Sequence, residues 1–244
     1  MPDPYPILER EPVEGLLPNP DIWELLDRLE REMPGAWVLV GGLMVLLHGL
    51  EAGQLPVRET TDADVLVNVR LRPNGTYDLS SWLVDSGLVF EGSSTTGTGH
   101  RFSNDIVSVD VLAPDHLGER ADTRTVPPSR TVQIPAGTRL LKDAALSPVR
   151  LSPTAIAHIP RPSLTAAIVG KSAALQLDDS SRHAEDLAFL FGLVSDPREV
   201  AVGLSKSDRR HLRRARRLLS DDRVWGYSQS PDAARATLQF LIGP

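Results

Sequence analysis

A chain of 244 residues with a hydrophobic fraction of 41% is long enough to form one large globular domain or two small ones. The absence of cysteine excludes disulfide bonds and thiolate metal sites, and it suits a reducing compartment. A net charge of −6 argues against a protein that coats nucleic acid with its whole surface, although it leaves room for a local basic groove.

The apolar segments of the chain are all too short for a membrane span, which needs about 20 residues. The first residues also lack the basic start and the apolar core of a secretion signal. We therefore expect a cytoplasmic protein that does not enter a membrane.

The N-terminal part of the chain predicts an extended lead, followed by a helix and two strands. Residues 1–20 are rich in proline and should run extended along the surface. Asp21 is expected to cap a helix over 22–33, where apolar residues recur at the helical spacing. A short apolar strand, a helix that starts at two glycines and a second strand should follow, over 36–40, 41–48 and 64–69.

The middle of the chain alternates short strands with loops, and the remainder is helical. Strands are expected over 88–91, 100–102, 106–112, 131–134 and 139–141, with a helix over 79–85. Helices are expected over 163–177, 182–194, 197–204, 207–219 and 231–241. The predicted fold class is α/β, a mixed sheet with flanking helices followed by a C-terminal helical module. Its parts are an N-terminal lead with a helix, a core and the helical module, over 1–35, 36–150 and 151–244.

Two aspartates with alternate spacing open the second predicted strand. In a strand, side chains i and i+2 share a face, with their origins about 6 to 7 Å apart. Asp62 and Asp64 can therefore converge on one site at the edge of the sheet. A hydrated divalent cation is the simplest reason to place two anions together there.

A third carboxylate, Asp110, lies in the middle of the apolar strand expected over 106–112. An unpaired buried carboxylate costs several kcal/mol, so such a residue usually has a charged partner or a metal ion. The alternative is an edge strand whose outer face is in water. Together with Asp62 and Asp64, the pattern favours a metal site made of three carboxylates.

Gly41 and Gly42 stand at the turn between the first strand and its helix. Glycines at such a turn let backbone N–H groups approach a phosphate closely, and the start of the helix adds a partial positive charge. The alternative is a purely structural turn, because glycine pairs are common at turns.

Lys171 and Asp186 each fall on the apolar stripe of a predicted helix. Charges on core-facing stripes are expensive unless they are paired or point into a cavity. One hypothesis is that Lys171 holds a polyphosphate while Asp186 orients it. The alternative is a buried ion pair between neighbouring helices.

The helix expected over 207–219 is rich in arginine. A run of charged residues usually forms a solvent-exposed helix face. This run has few acidic neighbours in the sequence, although the protein as a whole is acidic. Contact with a nucleic-acid backbone is the functional alternative.

Taken together, these features resemble the nucleotidyltransferase superfamily related to DNA polymerase beta. The pattern of that superfamily is a hydrophobic residue, Gly, and then Gly or Ser, followed by Asp-x-Asp and by a third carboxylate on a later strand. The residues that match it are Val40-Gly41-Gly42, Asp62-Ala63-Asp64 and Asp110.

One branch looks especially similar, the AbiEii-type toxins of abortive-infection systems, which include the MenT toxins. The similarity lies in the spacing of a few residues after the glycines, namely His48-Gly49, Arg58, Thr60, Asp62 and Asp64. That branch also carries a lysine and a later Arg-x-x-x-Asp segment on C-terminal helices. Lys171 and the run from Arg182 to Asp186 stand in those places.

The resemblance implies a nucleotidyltransferase-type mixed sheet and metal-dependent transfer of a nucleotide from an NTP. Asp62, Asp64 and Asp110 would then hold Mg²⁺ or Mn²⁺ and bind the triphosphate through it. The remaining roles implied are phosphate contacts from Gly41, Gly42, Arg58, Lys171 and Arg182, with Lys171 and Asp186 taking part in catalysis. His48 is expected to pack within its helix.

The first hypothesis is a toxin-like enzyme that transfers a nucleotide to an acceptor hydroxyl, which the resemblance suggests is the 3′ end of tRNA. A cognate antitoxin protein is a possible further partner implied by the same branch. A second hypothesis keeps the chemistry but modifies a small molecule such as an antibiotic. A third is a non-catalytic module that binds nucleotide or RNA.

Overall fold

The structure is a computed structural model that describes residues 5–15, 17–94, 97–118, 121–126, 129–177 and 180–243. The chain forms two compact units, each made of two segments. Unit 1 comprises Met1–Leu43 and Thr60–Pro162. Unit 2 comprises Met44–Glu59 and Ser163–Pro244. The class is mixed α/β, as the sequence predicts.

The strands and helices follow each other in the order α1 (Pro20–Glu32), β1 (Trp37–Val40), α2 (Gly41–Glu51), β2 (Asp62–Val67), α3 (Gly75–Asp85), β3 (Val89–Phe90), β4 (Arg101–Ser103), β5 (Ser108–Pro114), β6 (Val132–Ile134), α4 (Gly137–Lys142), β7 (Ala144–Ser152), β8 (Ala155–Pro162), α5 (Leu164–Ala174), α6 (Ser180–Gly192), α7 (Pro197–Val202), α8 (Lys206–Arg214) and α9 (Pro231–Ile242). Two short 3₁₀ helices, Ala215–Ser220 and Val224–Tyr227, stand between α8 and α9. The boundary expected at residue 150, between the core and the helical module, falls inside β7.

The larger sheet of unit 1 is mixed and has the strand order β1-β2-β5-β4-β3, with β6 beside the end of β5. β1 runs antiparallel to β2, and β2 runs parallel to β5. β4 is antiparallel to both β3 and β5, whereas β6 is parallel to β5. The predicted mixed sheet is therefore confirmed, and β2 and β5 occupy its middle.

The hydrophobic core of unit 1 follows from the apolar pattern of these elements. All four residues of β1 are buried, as a short fully apolar strand requires. In α1, the side chains of Ile22, Trp23, Leu26 and Leu29 are almost completely buried. They lie on one stripe of the helix because they recur at its 3.6-residue period. This stripe packs against the hairpin formed by β7 and β8.

The antiparallel hairpin of β7 and β8 was not predicted from the sequence. Proline normally counts against a strand, because it has no N–H to donate to a neighbour. Both strands nevertheless contain proline, with Pro148 in β7 and Pro160 in β8. The N-terminal lead runs along this hairpin, where Ile7 and Val13 form parallel bridges to β7, and most of its described residues stay exposed, as the sequence predicts.

Three further predictions about local structure are wrong. Asp21 does not cap α1, because this helix begins at Pro20 and Asn19 occupies the N-cap position. The strand expected over 139–141 is part of helix α4. The single helix expected over 207–219 is α-helical only as far as Arg214 and then continues as a 3₁₀ helix.

The helices of unit 2 bury the apolar stripes that the sequence predicts. Helix α6 packs between α5 and α9, and its side chains Leu187, Leu190 and Phe191 are completely buried. No helix in the described ranges is both long enough and apolar enough to cross a membrane.

Candidate functional site

The three predicted carboxylates lie on one face of two adjacent strands in unit 1. Asp64 in β2 is the register partner of Asp110 in β5, and Asp62 is the partner of Ser108. Neighbouring strands are about 4.8 Å apart, and partner residues point to the same face of a sheet. The fold therefore brings Asp62, Asp64 and Asp110 to a common sheet face, as the sequence predicts.

The backbone of Gly41 and Gly42 lies so close to this face that no side chain fits at either position. Gly41 has a φ of +69°, and a Cβ at this position would lie only 1.6 Å from Oδ2 of Asp64. A Cβ at Gly42 would lie 2.7 Å from Oγ1 of Thr60. Only glycine allows the backbone at the start of α2 to approach the Asp64 carboxylate this closely. The structural role that the sequence leaves open as the alternative for both glycines thus has a specific cause, and phosphate binding by them stays a prediction.

Arg101 in β4 is a member of the site that sequence reasoning missed. It is the register partner of Asp110, and its Nε and Nη2 atoms each donate a 2.8 Å hydrogen bond to that carboxylate. Its Nη2 also lies 3.8 Å from Oδ2 of Asp62. The pKa of Arg101 is raised, chiefly because its hydrogen bonds to Asp110 favour the charged form, and this effect outweighs the opposing effect of burial.

Arg101 explains how Asp110 is tolerated in a buried position. Both carboxylate oxygens accept a hydrogen bond from the guanidinium, in the two-pronged geometry that arginine and carboxylate prefer. His100 is a second neighbour of this carboxylate, with its Nε2 atom 3.9 Å from Oδ2 of Asp110. The sequence indicates a charged partner for Asp110 without identifying it. No local pattern could have done so, because the pairing follows from the register of β4 against β5.

The donor atoms on this face suit a hard divalent cation, because Mg²⁺ and Mn²⁺ prefer carboxylate oxygens. Within the described part of the chain, however, no three acidic or histidine side chains form a group that could hold a metal ion. Both oxygens of Asp110 are engaged by Arg101 instead. Metal binding by the three aspartates stays a prediction, and it requires Asp110 to exchange its guanidinium partner for the ion.

The predicted pair of Lys171 and Asp186 lies in unit 2 and forms a buried ion pair between α5 and α6. Nζ of Lys171 is 2.5 Å from Oδ2 of Asp186. Nη2 of Arg58 donates hydrogen bonds of 3.2 and 3.1 Å to the two oxygens of the same carboxylate. The buried ion pair that the sequence leaves open as an alternative is therefore the arrangement observed, with Arg58 as a second cation.

The electrostatic balance at Asp186 favours its charged form. Burial by itself would raise the pKa of this carboxyl group, but the charges of Lys171 and Arg58 outweigh it and the pKa is lowered. Two cations thus face one buried anion.

The other two residues singled out in unit 2 differ in exposure. Arg182 is exposed on α6, and its role as a phosphate contact stays a prediction. His48 is buried in α2, in agreement with the packing role expected for it. The candidate residues consequently fall into two sets: Gly41, Gly42, Asp62, Asp64 and Asp110 in unit 1, and Arg58, Lys171, Arg182 and Asp186 in unit 2.

Comparison with known proteins adds no relative to this picture. No protein-family model matches the chain, and no curated protein sequence matches it significantly.

Proposed function

We propose that the protein is a metal-dependent nucleotidyltransferase whose reaction site is the carboxylate face of unit 1. The observation that carries this proposal is the register of β2 and β5, which sets Asp64 opposite Asp110 with Asp62 on the same face. The position of Gly41 and Gly42 at the start of α2, beside Asp64, supports it, because the positive end of the helix favours a phosphate once an ion neutralises the carboxylates.

Each residue has a role in this proposal that follows from its chemistry. Asp62 and Asp64 would hold Mg²⁺ or Mn²⁺, joined by Asp110 once Arg101 releases it. When bound, the ion would neutralise negative charge on the phosphates of the NTP. The backbone at Gly41 and Gly42 would accommodate those phosphates.

The proposed reaction joins an acceptor hydroxyl to the α-phosphorus of the NTP. The hydroxyl loses its proton, its oxygen forms a bond to phosphorus, and pyrophosphate leaves with the electron pair of the broken P–O bond. Asp110 is the proposed proton acceptor. Arg101, which donates 2.8 Å hydrogen bonds to both of its oxygens, would release the carboxylate before that step so that Asp110 can accept the proton.

The proposed acceptor is RNA, at the 3′ end of tRNA, in a cytoplasmic enzyme of the toxin type. The support for this acceptor is the resemblance noted in the sequence, together with the basic helix of unit 2. A cognate antitoxin protein would be a further partner of such an enzyme.

One observation favours a second candidate function, a non-catalytic module that binds nucleotide or RNA. Buried carboxylates without a metal ion would be costly anions, and this cost counts against such a module. Arg101 reduces the cost, because it neutralises Asp110 without any metal.

Incubation of the protein with each α-³²P-labelled NTP, Mg²⁺ and total tRNA tests the proposal directly. We expect label to appear on tRNA with at least one NTP and to be absent from the Asp62→Ala variant. Parallel incubations with aminoglycosides test the small-molecule alternative. Nucleotide binding with no label transferred to any acceptor would favour the non-catalytic module.

A further inference from the structure

The arginines of the basic segment 207–219 do not share one role. Four of them donate hydrogen bonds to backbone carbonyls at the C-terminal ends of other helices. The donor and acceptor pairs are Arg209 with Ala201 of α7, Arg214 with Ala173 of α5, Arg217 with Leu175 just after α5, and Arg216 with Gly243 just after α9. The last carbonyls of a helix have no partner within it, and the negative end of the helix dipole attracts a cation. These four side chains therefore serve the packing of unit 2.

Three other cations, on α8 (Lys206–Arg214), have no such contact. Lys206, Arg210 and Arg213 are exposed on α8, and their side chains make no hydrogen bond or ion pair to any residue in the described ranges. The one acidic residue within α8, Asp208, is buried and belongs to the capping box at the start of the helix. The outer surface of α8 thus carries three positive charges that no acidic residue of the helix itself compensates.

The three cations form a continuous stripe. At 3.6 residues per turn, positions i, i+4 and i+7 lie within about 60° of one another around a helix. Leu212 and Asp208 are buried on the opposite side, where α8 faces α5 and α9. From Lys206 to Arg213 the stripe is about 10 Å long, which matches about two to three consecutive phosphates of a nucleic-acid strand.

We propose that this stripe of Lys206, Arg210 and Arg213 binds the phosphate backbone of RNA. The inference rests on the proposed function in one respect, because it takes RNA as the acceptor, and it assigns the surface of the protein that holds it. Exposed guanidinium and ammonium groups bind phosphates by releasing the counterions that surround the nucleic acid. Three exposed cations on one helix meet this requirement without rearrangement of the protein.

The composition of the stripe separates RNA from other anionic partners. A membrane-binding helix needs apolar side chains beside its cations, whereas the apolar side chain of α8, Leu212, is completely buried. A protein partner is usually held by aromatic or aliphatic anchors, and the stripe contains none. A partner recognised by its charge alone fits best.

The test is a binding measurement that needs neither NTP nor metal, so its outcome is independent of transfer activity. A fluorescein-labelled tRNA transcript is titrated with the full chain at several KCl concentrations between about 50 and 200 mM. The test variant is Arg210→Gln with Arg213→Gln. The matched control is Arg209→Gln with Arg216→Gln, which removes the same charge from side chains that are bonded to carbonyls.

We expect the test variant to bind tRNA about tenfold more weakly at 100 mM KCl, with a salt slope smaller by about 1.5, because each lost phosphate contact lowers the slope by about 0.7 to 0.9. The control should lose less than half as much affinity for tRNA.

Equal losses of affinity in the two variants would mean that only net charge matters. Unchanged binding in the test variant would exclude the stripe as the contact. Displacement of tRNA by poly-glutamate as effective as by unlabelled tRNA would also overturn the proposal. A protein that binds tRNA through the stripe but transfers no nucleotide would refute the proposed function alone.

Discussion

The two units of this protein each contain a buried aspartate that is bound by arginine. The two aspartates differ in how exposed their cationic partners are. In unit 1, Asp110 is bound by Arg101, whose side chain is 42% exposed. In unit 2, Asp186 is bound by Arg58 and by Lys171, whose side chains are 25% and 8% exposed. A half-exposed guanidinium can turn into solvent when another cation takes its place at the carboxylate, whereas a buried ammonium has no such path.

This difference separates a carboxylate that can exchange partners from one that holds the fold. Asp110 lies on the face of Asp62 and Asp64, where another cation would find oxygen ligands. Asp186 joins α5 to α6, and the ammonium of Lys171 would stay buried without an anion if the pair were broken. We therefore expect substitution of the site aspartates in unit 1 to reduce activity and substitution of Asp186 to reduce stability.

The largest effect is expected from Asp62→Ala. If Asp62 helps to hold the metal ion, its loss should reduce nucleotide transfer by about 1000-fold or more, equivalent to about 4 kcal/mol or more of transition-state stabilisation. The melting temperature should change little, because the Asp62 side chain is 47% exposed. The measurement is label transfer from NTP alongside thermal unfolding.

Asp105→Ala is the matched control, since Asp105 is an exposed aspartate of the same unit that is not part of the carboxylate face. It should retain full activity. Full activity in the Asp62→Ala variant would refute the role of the carboxylate face.

Asp186→Ala should have the opposite profile, with a large loss of stability. Removing the carboxylate leaves Lys171 and Arg58 facing each other without an anion, and breaking a buried pair in this way costs about 3 to 5 kcal/mol. Lys171→Ala should cost less, because Asp186 keeps Arg58. Urea unfolding of both variants measures the difference.

Glu199→Ala, an exposed change in the same unit, serves as the control and should stay within about 0.5 kcal/mol of wild type. If Lys171→Ala leaves the free energy of unfolding unchanged but weakens the use of NTP, the sequence-based hypothesis of a phosphate-binding lysine is favoured over the structural pair.

Gly41→Ala should combine backbone strain with a collision at the carboxylate face. Its φ of +69° disfavours any L side chain, and the added Cβ would overlap Oδ2 of Asp64. We expect a loss of about 2 to 4 kcal/mol in the free energy of unfolding, measured by urea titration.

Gly53→Ala isolates the strain from the collision. The φ of Gly53 is +68°, and an added Cβ would meet no atom of the described residues within 4 Å. A loss of about 1 kcal/mol is therefore expected there. Equal losses at the two glycines would show that Asp64 is not held tightly against α2.

The sequence alone predicts the placement of candidate residues that depends on a local pattern. The alternation around Asp110 predicts a strand with Ser108 and Asp110 on the face opposite Val109 and Val111, and β5 contains these residues. The spacing of Asp62 and Asp64 likewise predicts that their side chains share a face of β2.

The sequence alone does not predict contacts of the candidate residues with partners that are distant along the chain. The pairing of Arg101 with Asp110 follows from the register of β4 against β5, which no local pattern specifies. The arginines of α8 and the turn after it look alike in sequence, and only the positions of other helix ends distinguish Arg217, bonded to Leu175, from the exposed Arg213. The prolines of β7 and β8 concealed a hairpin because the local rule against proline was overridden by tertiary pairing.

The smallest effect is expected from Arg101→Gln, and it tests the exchange of partners at Asp110. Glutamine has no charge and cannot reproduce the two hydrogen bonds of the guanidinium, so both oxygens of Asp110 become available to a cation. We expect Mn²⁺ to bind about tenfold more tightly to the variant, which corresponds to about 1.4 kcal/mol. The measurement is the rise in melting temperature with increasing Mn²⁺, which follows from linkage between binding and folding and does not depend on activity.

Arg124→Gln provides the comparison that makes this result specific. Arg124 is paired with Asp122 in the same unit, so the substitution breaks a similar ion pair that contains none of the three carboxylates of the proposed site. Its response to Mn²⁺ should equal that of the wild type. If Arg101→Gln also responds like the wild type, Asp110 does not ligate the ion, and Arg101 is a permanent structural partner in the same sense as Lys171 is for Asp186.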